Sequence, residues 1–276
     1  MGIMDGRVAL ITGAARGMGR SHAVRLAEAG ADIIAIDICA QIESVTVQMS
    51  TRQDLEETAE LVRRAGRRIA FGVADVRDRP GLRAAVRAGV NELGRLDTVV
   101  ANAGIWAVRV DQPNDDEGRS RVWEDTLGVN LTGVWNTIEI CSPFIIEAGN
   151  GGSIVIISST AALQIVSNDD IAFTSYTVSK VALIGLMKMA ASDLARHSIR
   201  VNAVHPTGVE TPLTANSVVD EYFAHNAELS AKIQQAYANV EPGAISDAVV
   251  FLASDASRQI SGVSLPVDSG ALVRWR

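Results

Sequence analysis

Cysteine is scarce in this 276-residue chain, which contains only Cys39 and Cys141. Two cysteines are too few for a disulfide framework, and they lack the spacing of metal ligands. A long apolar run near the start is also lacking, because a single arginine precedes the short run VALI. That run is too short for a signal peptide or a membrane span. We therefore expect a cytoplasmic protein of a reducing compartment, with no metal site and no membrane segment.

Positive charge is in deficit, since 25 basic residues face 32 acidic ones and the net charge is −7. A partner such as nucleic acid or an anionic membrane would favour a clustered positive surface, so neither is expected. Internal repeats, low-complexity tracts and glycine/serine linkers are absent from the sequence as well. The 47% of hydrophobic residues are ample for one core. We expect residues 1–276 to form a single domain.

Apolar runs of strand length alternate with helical stretches, which indicates a parallel sheet with helices on both faces. The runs VALI, IIAI and IVII are continuous, as in strands buried on both faces. The expected strands are Val8–Thr12, Asp32–Asp37, Arg68–Val73, Thr98–Asn102, Ser153–Ser158, Arg200–His205 and Val263–Pro266. The expected helices are Gly17–Ala29, Asp54–Ala65, Arg79–Leu93, Val122–Ala148, Ser175–His197 and Ile245–Ala253. This order predicts an α/β Rossmann fold with a doubly wound, seven-stranded parallel sheet.

Two stretches depart from the alternation. Ile38–Arg52 separates the second strand from the next helix, where a connection usually has about 2–6 residues, so we interpret it as an insertion. It contains the uncharged, largely apolar run VTVQM, which would be costly to leave in water. Thr211–Val240 follows the sixth strand, carries Tyr222, Phe223 and Tyr237, and lies where a substrate lid is expected.

A glycine-rich turn, TGAARGMG at residues 12–19, joins the first strand to the first helix. Glycines there allow a tight turn and let backbone N–H groups approach a pyrophosphate at the positive end of the helix. A glycine cluster alone can be an ordinary turn, but its place between an apolar strand and a helix favours a dinucleotide site. The expected contributors are Gly13, Arg16, Gly17, Met18 and Gly19.

Asp37 ends the second strand, 18 residues after Gly19. A carboxylate there accepts hydrogen bonds from the adenosine ribose hydroxyls and repels a 2′-phosphate. Arg16 instead favours NADP, because a basic residue beside the glycine turn can pair with such a phosphate. Asp37 would touch the hydroxyls directly, and Ile38 after it adds no positive charge. The sequence therefore predicts NAD as the cofactor.

Tyr176 and Lys180 are four residues apart, hence on one face of a helix. Free tyrosine has a pKa near 10 and is a poor base at neutral pH, but a nearby ammonium favours the phenolate. Taken alone, such a pair is far more often a surface contact than a catalyst. Beside a dinucleotide site, the pair predicts a general acid/base.

These motifs occur in order along nearly the whole chain, which resembles the short-chain dehydrogenases/reductases. The resemblance implies that Tyr176 is the acid/base, Lys180 also binds the nicotinamide ribose, Ser159 positions the substrate oxygen and Asn130 holds a water in a proton relay. It further implies the following cofactor contacts: Asp75 and Val76 at the adenine, Asn102, Ala103 and Gly104 at the adenosine ribose, and Val209 and Thr211 at the carboxamide. Asn102–Gly104 could instead only shape a turn. The family commonly forms dimers or tetramers, which implies a homotetramer or a dimer here, and Leu186, Met187, Leu272 and Val273 offer apolar surface for such contacts.

This chain departs from the family's pattern at two places. Ser158 and Ser159 both end the fifth strand, and the family's pattern selects Ser159. Tyr176 follows 17 residues later where about 13 is usual, so the loop is longer and carries Asn168, Asp169 and Asp170, which we assign to the substrate rim. After the sixth strand the chain has Pro206-Thr207-Gly208 where the family has Pro-Gly.

The insertion after Asp37, the segment HPTGVETP and the ending LPVDSGALV resemble an actinobacterial subgroup labelled carveol dehydrogenases or mycofactocin-dependent oxidoreductases. This implies a hydrophobic secondary alcohol or ketone as substrate and a mycofactocin-type redox partner that recycles tightly held NAD. Two alternatives remain. One is a steroid or 3-oxoacyl reductase of the same family. The other is a non-catalytic NAD-binding sensor, which would be expected to have a broken Tyr–Lys pair.

Overall fold

A computed structural model describes residues 2–111, 113, 115–166, 169–227, 231 and 239–273 of the chain. Within them, seven strands form one parallel sheet in the order β3-β2-β1-β4-β5-β6-β7. The strands are β1 Val8–Thr12, β2 Asp32–Asp37, β3 Ile69–Val73, β4 Thr98–Ala101, β5 Gly152–Ile157, β6 Ile199–Pro206 and β7 Ser264–Val267. The doubly wound Rossmann fold expected from the sequence is confirmed.

The central strands are buried on both faces, which explains their continuous apolar runs. Every residue of β1 and β2 is buried. Successive side chains point to opposite faces of a strand. Leu10 and Ile34 accordingly join the core on one face, whereas Ile11 and Ile33 join the core on the other. Each face therefore needs its own layer of helices.

Helices α1, α2 and α8 cover one face, and α3 to α6 cover the other. The α-helices of the described residues are α1 Gly17–Glu28, α2 Arg52–Arg64, α3 Arg79–Leu93, α4 Asp116–Leu127, α5 Val134–Ala148, α6 Ile171–Leu194, α7 Ser217–His225 and α8 Pro242–Ala253. Helix α2 begins before the expected Asp54 because Thr51 and Asp54 form a reciprocal capping box. None of these helices is long and apolar enough to cross a membrane.

The expected single helix Val122–Ala148 is wrong in two respects. The helical segment begins at Asp116, where Asp115 caps it by accepting from the Gly118 N–H, and its first turns are polar. A π-helix, Gly128–Gly133, separates α4 from α5. Apolar periodicity detects neither feature, because α4 buries few residues and a π-turn shifts the pattern by one position.

Strand order reverses between β1 and β4, so the chain leaves the sheet in opposite directions on the two sides of this point. A crevice forms at the carboxyl ends of strands at such a switch point, and ligands of open α/β sheets bind there. The glycine turn after β1, Asp37 at the end of β2 and Asn102 after β4 all lie at this end of the sheet.

Candidate active site

A cleft at the carboxyl ends of β1, β2 and β4 holds about 940 Å³ of space, part of it open to solvent. Its lining includes most residues expected at the cofactor, namely Gly13, Arg16, Gly17, Met18, Gly19, Asp37, Asp75, Val76, Asn102, Ala103, Gly104 and Thr211. The other two, Lys180 and Val209, are not part of this lining. Val209 packs in the core and pairs with Val240.

The turn after β1 is built for close approach of backbone. Gly13 has φ +68°, and a Cβ on Gly19 would lie 1.9 Å from the Gly13 carbonyl oxygen. The Asn102 amide donates to the carbonyls of Thr12 and Gly13, so the segment after β4 holds the turn. Helix α1 begins here with no side-chain cap at Arg16 and no acidic residue in its first turn. An uncapped helix start facing a cleft fits the pyrophosphate of a dinucleotide.

Asp37 is buried at the end of β2, and both of its oxygens accept hydrogen bonds. Oδ2 accepts from the Ala15 N–H at 2.9 Å, and Oδ1 accepts from the Cys39 N–H and the Ser50 hydroxyl. A carboxylate has about four lone-pair sites, so one remains for a ribose hydroxyl. Sequence reasoning missed Ser50, because nothing in its neighbourhood signals that the far end of the insertion returns to Asp37.

The 38–52 insertion folds over the end of the cleft beside Asp37. Its residues Ile42, Val45 and Val47 are buried and line the cleft. The Gln41 amide donates to backbone carbonyls at residues 42, 45 and 47, which fixes the loop's shape. The Arg16 guanidinium donates to the Gln48 carbonyl, so this cation bridges the glycine turn and the insertion.

Asp75 and Val76 follow β3 at the side of the cleft. Arg77 donates to the Asp75 carboxylate through its backbone N–H and two guanidinium nitrogens, and the third guanidinium nitrogen donates to Asp125. These bonds raise the pKa of Arg77. Val76 is buried against the π-helix, where a Cβ on Gly133 would lie 2.4 Å from its methyl group.

Tyr176 and Lys180 lie on α6, and the Lys180 ammonium nitrogen is 5.5 Å from the centre of the Tyr176 ring. That nitrogen donates to the Ile157 carbonyl at 3.0 Å. Burial lowers the pKa of Lys180 to about 8, so the side chain still carries its charge at neutral pH. The structure thus provides a fixed, desolvated cation beside a phenol.

Asn130 lies within the π-helix, fully buried. Its amide oxygen accepts from the Ile105 N–H at 2.8 Å, and its amide nitrogen donates to the Ile105 carbonyl and the Ser179 hydroxyl. Ser179 in turn donates to the Tyr176 carbonyl. The π-turn therefore brings Asn130 to the helix that carries Tyr176 and Lys180.

Ser158 and Ser159 have different surroundings. The Ser158 hydroxyl donates to the backbone carbonyl of Lys180 at 3.0 Å, a contact that packs β5 against α6. The Ser159 hydroxyl accepts from the Ala161 N–H, and its backbone carbonyl contacts Nδ1 of buried His205 at 2.9 Å. Of the loop residues assigned to the rim, Asn168 lies outside the described residues.

An aromatic cluster surrounds Trp106, which lies five residues beyond Ala101, the last residue of β4. Its ring centroid lies 5.5–6.5 Å from four others, those of Phe173, Tyr176, Tyr222 and Phe223. Tyr222 and Phe223 belong to α7, whereas Tyr237 of the expected lid lies outside the described residues. Sequence reasoning missed Trp106, although its place just beyond the carboxyl end of β4 was a usable signal.

Comparisons with known proteins agree with this geometry. A family model described as enoyl-(acyl carrier protein) reductase matches residues 13–271. (−)-trans-Carveol dehydrogenase of Rhodococcus erythropolis is 38% identical over 287 residues, covering 99% of this chain and 100% of the relative. Carveol dehydrogenase from Mycobacterium avium, solved in complex with NAD, superposes with a TM-score of 0.89 at 45% identity, covering 99% and 100%. A short-chain dehydrogenase from Mycobacterium paratuberculosis bound to NAD gives 0.89 at 43% identity with the same coverage.

The resemblance drawn from the motifs is confirmed over the full length of the chain, and so is the choice of NAD. The cleft, its uncapped helix start and the carboxylate at the end of β2 are consistent with that cofactor. The chain therefore belongs to the short-chain dehydrogenase/reductase family and is an NAD-dependent oxidoreductase.

Proposed function

We propose that the protein interconverts a hydrophobic secondary alcohol and its ketone, with Tyr176 as the acid/base. The observation that carries this proposal is the buried Lys180 ammonium, 5.5 Å from the Tyr176 ring. In a site with little water, that charge stabilises the phenolate, which can accept the alcohol proton. Bound NAD would accept the hydride from the carbon that carries the alcohol oxygen.

Two further side chains complete the proposed site. Ser159 orients the substrate oxygen, and it is favoured over Ser158 because the Ser158 hydroxyl is engaged with the Lys180 carbonyl. The Asn130 side chain is hydrogen-bonded to the Ile105 backbone and the Ser179 hydroxyl. We propose that it also holds the water through which the proton leaves. Lys180, beyond its effect on Tyr176, would hold the nicotinamide ribose. The remaining cofactor contacts are proposed as expected from the sequence, with Val209 acting through its backbone because its side chain is buried.

The aromatic cluster supports an apolar, ring-containing substrate such as a carveol-like terpenoid alcohol. Trp106 packs against Tyr176, Phe173 and Phe223, and burying apolar surface against such rings is favourable. The relative named (−)-trans-carveol dehydrogenase supports the same class. A panel of terpenoid, steroid and 3-oxoacyl substrates, read with an artificial electron acceptor, tests it. Turnover confined to steroids or 3-oxoacyl compounds would replace this substrate class with the alternative, and no turnover of any compound would favour a sensor.

We further propose that NAD stays bound through the catalytic cycle and that a small mycofactocin-type redox partner reoxidises it in place. The closed 38–52 insertion supports this proposal, because Arg16 bridges to Gln48 and Thr46 donates to the carbonyl of Val108, in the segment after β4. A cofactor covered in this way leaves only when the cover opens.

A homotetramer remains our proposal for the assembly. Helix α6 exposes Val178, Val181 and Met189, the last at 63%, and α5 exposes Trp135. Met187, expected at this surface, is instead fully buried, because it points to the core face of α6. Light scattering at micromolar concentration tests the assembly.

A further inference from the structure

Asp170 joins two helices that border the site. Its Oδ1 accepts from the backbone N–H groups of Ala172 and Phe173, at 2.7 and 3.2 Å, and so caps the start of α6. Its Oδ2 accepts a hydrogen bond from the Tyr222 hydroxyl on α7. One carboxylate therefore connects the helix that carries Tyr176 with the helix over the aromatic cluster.

Tyr222 is the main anchor of α7. That helix has nine residues, and its buried side chains are Val219 and Tyr222, the latter fully buried. A helix this short is not stable by itself in water and depends on its contacts. Burial, together with the bond to Asp170, raises the pKa of Tyr222, so its hydroxyl remains a donor at physiological pH.

A second set of contacts links Tyr222 to the surroundings of Tyr176. Its ring meets Trp106 edge to face at 5.5 Å, and Trp106 lies 6.3 Å from the Tyr176 ring. The position of α7 is thus coupled to Tyr176 through Trp106 and through the cap of α6.

We propose that the Tyr222–Asp170 hydrogen bond is a latch that holds α7 closed over the substrate side of Tyr176. Tyr222 and Asp170 are then positioning residues that set substrate affinity. The location of the substrate rests on the proposed function, whereas the latch itself does not. When the closed state is populated less, the apparent affinity falls in proportion, while the chemistry of the closed state is unchanged.

Matched variants separate the latch from the cap. Tyr222→Phe keeps the ring and removes the hydroxyl, and Asp170→Ser keeps an N-cap while removing the second oxygen. Each should raise KM for the alcohol by about 10-fold with a much smaller change in kcat, and the double variant should add little. Asp193→Ser, the same change at an exposed residue near the other end of α6, should behave as wild type. Additive effects in the double variant, or a fall in kcat at unchanged KM, would overturn the latch.

Hydrogen exchange provides a readout that needs no substrate. In Tyr222→Phe, the amides of Val219–Tyr222 should exchange several-fold faster, whereas those of Ala172 and Phe173 stay protected because their cap is intact. Wild-type exchange in α7 of this variant contradicts the proposal. Should the wild type turn over no alcohol, the proposed function fails and exchange alone decides the latch.

Discussion

The Ser50 hydroxyl donates a hydrogen bond to Oδ1 of Asp37. This contact ties the far end of the 38–52 insertion to the end of β2, where both residues line the cleft. The residue proposed to select the cofactor is thus also an anchor of the loop that covers it. Cofactor choice and loop closure can be separated by changing one partner at a time.

Asp37→Ala should weaken NAD binding by about 10- to 100-fold, because a charge-assisted bond to the ribose is lost. It should also narrow the gap to NADP, since the carboxylate that repels a 2′-phosphate is gone. Ser50→Ala is the control: it loosens the loop but keeps the carboxylate, so the NAD-to-NADP ratio should not change. Calorimetric titration with both cofactors measures this, and a wild type that prefers NADP would contradict the assignment.

Tyr176→Phe should lower turnover by about 10²–10⁴-fold, the usual effect of removing a general acid/base. NAD affinity should stay close to wild type, because the ring still packs against Trp106. Steady-state kinetics with a substrate alcohol and a cofactor titration give the two values. A variant that keeps a third of wild-type turnover excludes the proposed role.

Ser158 and Ser159 form a matched pair for the same substitution. Ser159→Ala should reduce kcat/KM by about 10-fold or more, because it removes a hydrogen bond to the substrate oxygen. Ser158→Ala should chiefly lower the free energy of unfolding, by about 1 kcal/mol, because its hydroxyl holds the Lys180 carbonyl. Kinetics and urea unfolding of both variants distinguish them, and the reverse pattern would move the role to Ser158.

The sequence predicted the sheet well because continuous apolar runs leave little choice for strands such as β1 and β2. It predicted α4 poorly because that helix is polar and is held by the Asp115 cap rather than by an apolar stripe. The π-helix around Asn130 leaves no periodic signal, so its hydrogen bonds to Ile105 could not be derived.

The glycine turn and the Tyr176–Lys180 pair were predictable because their local spacing carries the chemistry. Contacts that depend on how a loop folds back were not: the Ser50–Asp37 bond and the Arg16–Gln48 bridge join residues 13 and 32 positions apart. The aromatic cluster is of the same kind, because Trp106 and Tyr222 meet only once the sheet and α7 are assembled.

His22 should make stability fall in acid. It is fully buried between α1 and α8, where Nδ1 contacts the Ser246 hydroxyl, and burial lowers its pKa to about 3. Below pH 6.5 the unfolded chain takes up a proton that the native histidine does not, so His22's contribution is complete above pH 6.5 and declines toward pH 3. His22→Gln removes this proton uptake. Urea unfolding gives the free energy of unfolding of both proteins. The difference between wild type and His22→Gln should shrink by about 2 kcal/mol from pH 7.5 to pH 5.0. A difference that does not change with pH would show that His22 takes up the proton in the native state as well.

Slow release of NAD should depend on the ties of the insertion. Thr46 donates to the Val108 carbonyl, and Thr46→Val keeps its shape while removing that bond, so the loop should open more often. NAD should leave this variant about 2- to 10-fold faster, the range expected for one neutral hydrogen bond. Glu43 lies on the same loop, and Glu43→Gln breaks its exposed ion pair with Arg121 of α4. This variant should release NAD at nearly the wild-type rate, because an exposed ion pair contributes little. Gel filtration followed by absorbance at the nucleotide band gives the retained fraction. Dilution of NADH-loaded protein into a large volume of cofactor-free buffer, followed by the fluorescence of bound NADH, gives the rate.

The wild-type protein provides a second test. It should keep NAD through desalting, show little activity with added NAD alone, and recover turnover with an external electron acceptor. Protein that elutes without cofactor and cycles rapidly on added NAD would contradict both the covering role of the insertion and a redox partner that acts on bound cofactor.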